Sequence, residues 1–495
     1  MAVGFSSYGI ARSGLMVSER GLSVTGHNIS NVDTTGYVRQ QSIAESSPCI
    51  TVYGKNNQAF QYGTGVDIQE TRQLRNTFLD NIYRQENTLL GYYETRSNTI
   101  NDVEAIINDP MGDGLQNVMN QFWDSWQELS KAPESLTTRA LVRERGQALV
   151  YYFNQVGTQL DRLQNDLNSE IRVQVDKVNS ITSGLAALNQ QIASQEIAGD
   201  SANDYRDQRN ILLDNLSKIC DAQINEMQDG QVDITLGGYL LVTKGTSRNL
   251  YVESNSVNGD FYYPMLEGVN TQIDIKSGKL KGLMESRGEV SGIKSTSDPD
   301  SNIPTSKNIV SDLKIKLNAM LNKIATQVNT LQQSGKTLDK KDGVDFFKKV
   351  DSDYPLQMGN IALSDDLNSD NGLNNIVASK TTAVGDNTIA REIANLRDAD
   401  LLLDSSGMVS IDEYYRAIVL DIGNQGSEAT TAMNNQQTLV QSADDKRTAI
   451  SGVSMDEEMS NMMKYKFAYD ASARVLNIID SMVERVVNSM GVVGR

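Results

Sequence analysis

Residues 153–192 run FNQVGTQLDRLQNDLNSEIRVQVDKVNSITSGLAALNQQI. Phe153, Val156, Leu160, Leu163, Leu167, Ile171, Val175, Val178, Ile181, Leu185, Leu188 and Ile192 recur there at steps of three and four, and no proline stands between Pro133 and Pro264. Such steps keep side chains on one face of a helix, so the stretch predicts a very long helix or coiled-coil arm. Working outward, the same period marks shorter helices at 78–107, 115–129, 310–331 and from 410 to about 440. Ser410 and Glu413 form a capping box at the start of the last.

After Cys220 the period becomes two. Val232, Ile234 and Leu236 alternate before Gly237-Gly238. The alternation continues through Leu240 and Val242, Leu250 and Val252, Phe261 and Tyr263, and Ile273 and Ile275, with turn signals at Asp229-Gly230 and Asn258-Gly259. An antiparallel β-rich module inserted at 222–290 is expected, and the polar stretches 291–306 and 364–375 predict loops.

Both ends of the chain carry heptads. Tyr8, Leu15, Leu22 and Ile29 recur every seven residues, with Ala11, Ser18, Thr25 and Val32 three residues after each. Met455, Met462, Tyr469, Leu476, Val483 and Met490 repeat the pattern, widened by Met459, Ala473, Ile479 and Val486. Ser454 and Glu457 make a second capping box, which predicts a helix roughly 50 Å long. Gly9, Gly14, Gly21 and Gly26 interrupt the first stripe, each costing roughly 1 kcal/mol against alanine, so that helix is poor alone and needs a partner. The C-terminal stripe reads as a single face, leaving no second apolar face. The expected fold class is mainly α: an elongated helical bundle or coiled-coil body, paired N- and C-terminal helices, and a small inserted antiparallel β-module.

Composition narrows the function. In 495 residues, 39% are apolar and 6% aromatic, and 45 Lys and Arg face 63 Asp and Glu, a net charge of -18. Such a chain repels phosphate backbones and anionic lipid, so no nucleic-acid partner is expected. Residues 1–50 carry three arginines against three acids, and 455–495 five bases against six acids, which leaves -17 for the body between them. Near-neutral ends suit protein contacts, and an acidic body suits a solvent-facing wall. No apolar run approaches 18 residues and no basic segment precedes an apolar one at the start, so neither membrane insertion nor a cleaved signal peptide is expected. Cys49 and Cys220 lack CxxC spacing, which excludes a disulfide framework and leaves a single bridge open.

Catalytic chemistry finds little to stand on. His27 is the one histidine, too few for a histidine-based zinc site or acid/base machinery, and it reads as an ordinary helix or loop residue. No P-loop, GxGxxG, HExxH or GxSxG occurs. The acidic run Asp365, Asp366, Asn368, Asp370, Asn371 fails the EF-hand pattern, with Asn371 where glycine is needed and Val377 where glutamate is needed. Asp444-Asp445 and Glu457-Glu458 read as solvated faces or helix-dipole partners. No catalytic residue, cofactor or metal is expected.

Segment 26–40, GHNISNVDTTGYVRQ, resembles the NNISNVNTPGYTRQ signature of bacterial flagellar axial proteins, with Thr35 in place of the proline. Gly63-Thr-Gly-Val-Asp-Ile-Gln, followed by Arg72 and Phe78-Leu79, resembles the GxGVxVxxxxRxxDxFL element of the hook-associated protein 1 family, with Asn76 for its aspartate. Ser277-Gly-Lys-Leu-Lys-Gly-Leu283 with Arg287, Gln327-Val-Asn329, Asp342-Gly-Val-Asp-Phe-Phe347 and Ser451-Gly-Val-Ser-Met-Asp-Glu-Glu458 with Tyr465, Tyr469 and Ala471–Val475 follow in that family's order.

The resemblance implies a structural adaptor that joins hook to filament and assembles with itself, as a ring or helix, through its terminal helices. Its implied neighbours are the hook protein and a second junction protein, hook-associated protein 3. It also implies an extracellular place on the flagellum, reached through the type III export apparatus with a dedicated chaperone on the C-terminal helix. The implied inner-tube domain is 1–55 plus 450–495 and the helical domain 56–449, and the short distance from Phe347 to Thr388 implies that the outer β-domain of longer members is absent. Assembly residues carried over are Tyr8, Leu15, Leu22, Asn28, Ile29, Asn31, Gly36 and Tyr37, with Met455, Met459, Met462, Tyr469, Leu476, Ile479 and Val483 serving assembly and chaperone. A hook or rod protein is the alternative, disfavoured by the long helical body. An enzyme displayed on a flagellar scaffold would need a catalytic constellation that the middle region lacks.

Overall fold

The computed structural model describes residues 2–53, 58–108, 114–199, 201–227, 229–255, 260–269, 271–291, 308–369, 371–383, 385–404 and 407–490. The chain opens with α1 (Ala2–Ser30) and a β-ribbon of β1 (Gln40–Ser46), β2 (Ile50–Tyr53), β3 (Ala59–Tyr62) and β4 (Val66–Gln73). The body follows: α2 (Thr77–Asn108), α3 (Leu115–Lys131), α4 (Leu136–Ile197) and α5 (Asn203–Ile219). Next come β5 (Gln223–Glu226), β6 (Val232–Leu236), β7 (Tyr239–Thr243), β8 (Thr246–Ser247), β9 (Leu250–Asn255) and β10 (Phe261–Leu266). Then α6 (Lys279–Arg287), α7 (Val310–Ser334), β11 (Phe347–Lys349), β12 (Ile361–Leu363), α8 (Asp365–Asn368), α9 (Thr388–Asn395), β13 (Leu402–Asp404) and β14 (Gly407–Val409) lead to α10 (Ile411–Ser451) and α11 (Met455–Met490).

The spine is α4, longer at both ends than its apolar pattern and about 90 Å end to end. Ser135 caps its start, accepting from Thr138 N–H. Side-chain amides along α4 hold passing segments by their backbones. Asn179 donates to the Leu250 carbonyl and accepts from the Leu250 N–H, both at 2.7 Å, and Asn189 treats Val232 the same way at 2.8 and 3.2 Å. Asn154 spans the Ile361 carbonyl and the Gly359 N–H at 3.0 and 2.8 Å. Each amide supplies one donor and one acceptor where a neighbouring strand would, so the backbone groups it meets are paired against α4. On α7, Gln332 grips Val377, and Asn329 accepts from the N–H groups of Phe346 and Phe347 while donating to the Phe347 carbonyl.

Phe346 and Phe347, rings 4.8 Å apart, pack against Phe122 and Trp126 of α3. Gly146 makes room: a Cβ there would lie 2.6 Å from the Phe346 ring. Antiparallel β5-β6-β7-β8 form one sheet and β9 with β10 a hairpin, with Gly237 and Gly238 at positive φ in the tight β6–β7 turn. The capping box of Ser410 and Glu413 starts α10, which packs along α2.

The structure departs from the sequence reading in several places. Ile273 and Ile275 are buried outside any strand, next to a single bridge between Gln272 and Met265. Stretch 364–375 folds into α8 and a 3-10 turn, because Leu367 is buried and pins it. Cys49 and Cys220 are both free, one exposed and one buried. The Asn258-Gly259 turn signal, Asp370 and 292–307 lie outside the described residues.

Candidate functional site

α1 and α11 pack antiparallel along a seam of small residues. A Cβ built on Gly14 would lie 3.0 Å from Ser472 Oγ, and one on Gly21 would lie 2.5 Å from the Tyr465 ring, seven residues further along each helix in opposite directions. The next such step reaches Asn28 and Glu458, which are hydrogen-bonded at 3.0 Å. Ala11, Ser18, Gly21, Thr25 and Asn28 are buried on α1. The glycines taken as a weakness of α1 are therefore what lets α11 approach it.

The row of Tyr8, Leu15, Leu22 and Ile29 lies beside this seam: Leu15, Leu22 and Ile29 are half-buried, and Tyr8 is 44% exposed. On α11 the half-buried row is Met462, Tyr465, Tyr469, Ser472, Leu476 and Ile479, while Met455, Met459 and Val483 are exposed. The expectation of a single apolar face is overturned. Met463, Phe467, Ile478 and Met482 form a second stripe on the face turned from α1, with Phe467 69% exposed. Their steps of four and eleven residues, offset from the heptad, are the signal that could have revealed them.

At the far end of the seam the signature segment closes a clasp. Asn28 donates to the Gln40 carbonyl at 2.9 Å as well as to Glu458, and accepts from the Gln40 N–H at 3.0 Å and the Tyr37 hydroxyl at 2.7 Å. Asn31 closes the end of α1, its amide donating to the His27 carbonyl at 3.0 Å, and Thr34 Oγ1 donates to Asn31 Oδ1. Gly36 turns at φ +78, where a Cβ would lie 2.5 Å from Ile211 of α5. Arg39 binds Glu457 and Glu458 at 2.7 Å each, and its N–H meets the Ser451 carbonyl at 2.9 Å, beside the turn from α10 into α11. So Glu458, read as part of a solvated face, is buried with an arginine and an amide as partners.

His27 joins the same network through Tyr37, whose hydroxyl lies 3.1 Å from Nδ1. The body answers from α5. Gln40 Nε2 donates to Asp204, the Val38 N–H to Asp207 at 3.1 Å, and Asn203 Nδ2 to the Thr71 carbonyl at 2.8 Å. Burial pushes the Asp207 carboxyl up to about 7, against the Val38 N–H, Arg75 and Gln73, which pull it down. Burial, then Asp204, Asp207 and Glu458, push the Tyr37 hydroxyl well above its usual range. Nearby, Arg447 of α10 stacks over Tyr83 at 4.1 Å and bridges Asp214 and Asp444, and Arg84 also holds Asp214.

Asn28, Asn31, Gly36 and Tyr37 thus meet in one place, and Asp204, Asp207, Asn203 and Glu458 are members the sequence reading missed. Among the described residues no group of three or more His, Cys, Asp or Glu could hold a metal ion, and no helix is long and apolar enough to cross a membrane. The arrangement ties the end of α1 and the first turn of α11 to α5 through side-chain hydrogen bonds, and apolar side chains of α11 remain exposed outside it.

Residues 100–347 match the flagellar hook-associated protein FlgK helical domain, and 446–490 match the C-terminal domain of flagellar basal body rod FlgEFG proteins. A flagellar hook-associated protein 1 from Bacillus subtilis is 31% identical over 98% of this chain and 98% of its own. One from Escherichia coli is 23% identical over 97% and 98%. The solved flagellar hook junction protein FlgK from Burkholderia pseudomallei shares the fold, with a TM-score of 0.60 at 14% identity, covering 76% of this chain and 100% of that one. The clasp and its helix pair are thus built on a chain that belongs to the flagellar hook-associated protein 1 family.

Proposed function

We propose that this chain is a structural adaptor of the bacterial flagellum, placed between hook and filament outside the cell, which assembles with copies of itself through the α1–α11 layer. The observation that carries the reading is the second apolar stripe of α11. Met463, Phe467, Ile478 and Met482 stay exposed after α11 has packed on α1, and an apolar face of that length calls for a partner. In this reading 1–55 with 450–495 forms the inner-tube unit, 56–449 forms the surrounding helical unit with 222–290 as its β-module, and no outer β-domain follows Phe347. The two-sided helix also leaves room for an export chaperone. It can lay the outer stripe into its groove and need not displace α1 from the seam. The hook protein, hook-associated protein 3 and the type III export apparatus complete the proposed partners.

The test is electron microscopy of cells whose only copy carries Phe467→Asp and Ile478→Asp. Hooks without filaments are expected, with the variant chain released to the medium. Filaments attached in normal number would overturn the reading.

A further inference from the structure

The β2–β3 hairpin is an unexplained surface. It continues the β1–β4 ribbon along α1, where Val66 N–H donates to Ser13 Oγ at 3.2 Å and a Cβ on Gly65 would lie 3.3 Å from Ile10 Cα. Every residue of its two strands is exposed, including Ile50, Val52, Tyr53, Phe60 and Tyr62, with Tyr53 at 66%. A two-stranded hairpin is marginal in water without a packed face, and both outer edges of this one lack a neighbouring strand in the sheet order.

We infer that this hairpin is a docking arm that seats on the outer α11 stripe of a second copy of the chain. The inference rests on the assembly reading above and names its contact. The two surfaces match in being largely apolar: β2 and β3 carry no charged residue, and the stripe sets Met463, Phe467, Ile478 and Met482 on one face with Arg474 between the two pairs. They face different ways within one copy: the ribbon lies on the Ile10, Ser13 and Arg20 flank of α1, and the stripe points from α11 away from Gly14 and Gly21. A contact between two different patches of identical chains is head-to-tail and repeats, giving a ring or an open helix. Copies that each carry a net charge of -18 repel, so patches free of acidic side chains are where they can approach.

Cys49 is free, exposed and next to β2, which supplies a native probe. Full-length chain carrying Ile478→Cys or Met482→Cys is oxidised with copper phenanthroline over a concentration series and run on a non-reducing gel. A ladder of disulfide-linked oligomers is expected that vanishes with Cys49→Ser and is absent when Asp166→Cys on α4 replaces the stripe cysteine. No Cys49-dependent ladder from either stripe position, or an equal one from Asp166→Cys, overturns the proposal. Tyr53→Ser with Phe60→Ser should remove the ladder and leave the thermal unfolding curve unshifted, and a persisting ladder refutes the docking arm. In cells, loss of filaments with Phe467→Asp but not with the hairpin variants would sink this proposal and keep the assembly reading. Filaments that survive both changes would sink the two together.

Discussion

Asn28 and Glu458 stand 430 residues apart and meet at 3.0 Å, both buried, where the N-terminal signature touches the first turn of the C-terminal helix. Their contact ties the two ends of the chain to one point on the body, through Arg39 on one side and Gln40 on the other.

Removing Arg39 should do more harm than removing the pair. Arg39→Leu strands the Glu458 carboxylate in a buried setting and should cost about 3–5 kcal/mol of clasp stability. Arg39→Leu with Glu458→Gln should recover most of it. Protection of the Gln40 and Glu458 amides from hydrogen exchange reports the clasp directly, and a double variant as weak as the single one would contradict the pairing.

Glycines on α1 should split by position. Gly9 has open space around its missing Cβ, so Gly9→Ala should gain up to about 1 kcal/mol of helix stability. Gly21→Ala gains the same intrinsic propensity but drives a methyl into the Tyr465 ring, so α11 must move away. Limited proteolysis should cut α11 faster in the second variant and not in the first. Equal rates would show that the close approach is unimportant.

The clasp should weaken as the solution becomes more alkaline. Asp207 titrates higher folded than unfolded, so its protonated form favours the fold; that stability is complete below the ordinary carboxylate range and is lost as pH rises through about 7. Its surroundings are the Val38 N–H, Gln73 and Arg75, with Asp204 and Tyr37 nearby. Urea midpoints between pH 5 and 8.5 should fall for the native chain and flatten for Asp207→Asn. Parallel slopes for the two proteins would rule Asp207 out as the source.

At the other end of the body, Phe346→Ala should cost about 3–5 kcal/mol, since it empties a fully buried ring position among Phe122, Trp126 and Phe347. A loss below about 1 kcal/mol in urea unfolding would mean that the cluster collapses around the gap.

The long apolar period of α4 was legible because a helix packed along its whole length repeats its buried positions at fixed steps, and α10 announced itself through Ser410 and Glu413. The β6–β7 hairpin was legible through Gly237-Gly238. The β1–β4 ribbon was not, because its residues are polar and exposed on the side turned from α1, which erases a clear alternation. At the site, the signature named Asn28, Asn31, Gly36 and Tyr37, which the fold gathers, but Asp204, Asp207 and Glu458 look like any surface acid until the fold brings Val38, Gln40 and Arg39 to them. The seam was misjudged for a similar reason. Gly14 and Gly21 lower propensity locally, and only the partner helix shows what their missing side chains allow.

The amide grips at Asn28, Asn179, Asn189 and Gln332 also bear on how the molecule ages. Each works because one side-chain atom is NH2 and the other is a carbonyl oxygen, aligned with the C=O and N–H of a single residue. Spontaneous hydrolysis of an amide to a carboxylate, one of the slow chemical lesions that make asparagine and glutamine thermolabile, turns the donor into a second acceptor. At Asn179 that places a negative oxygen against the Leu250 carbonyl, and at Asn189 against those of Val232 and Lys244. A single such event would turn attraction into repulsion at the spine and release the strand it holds.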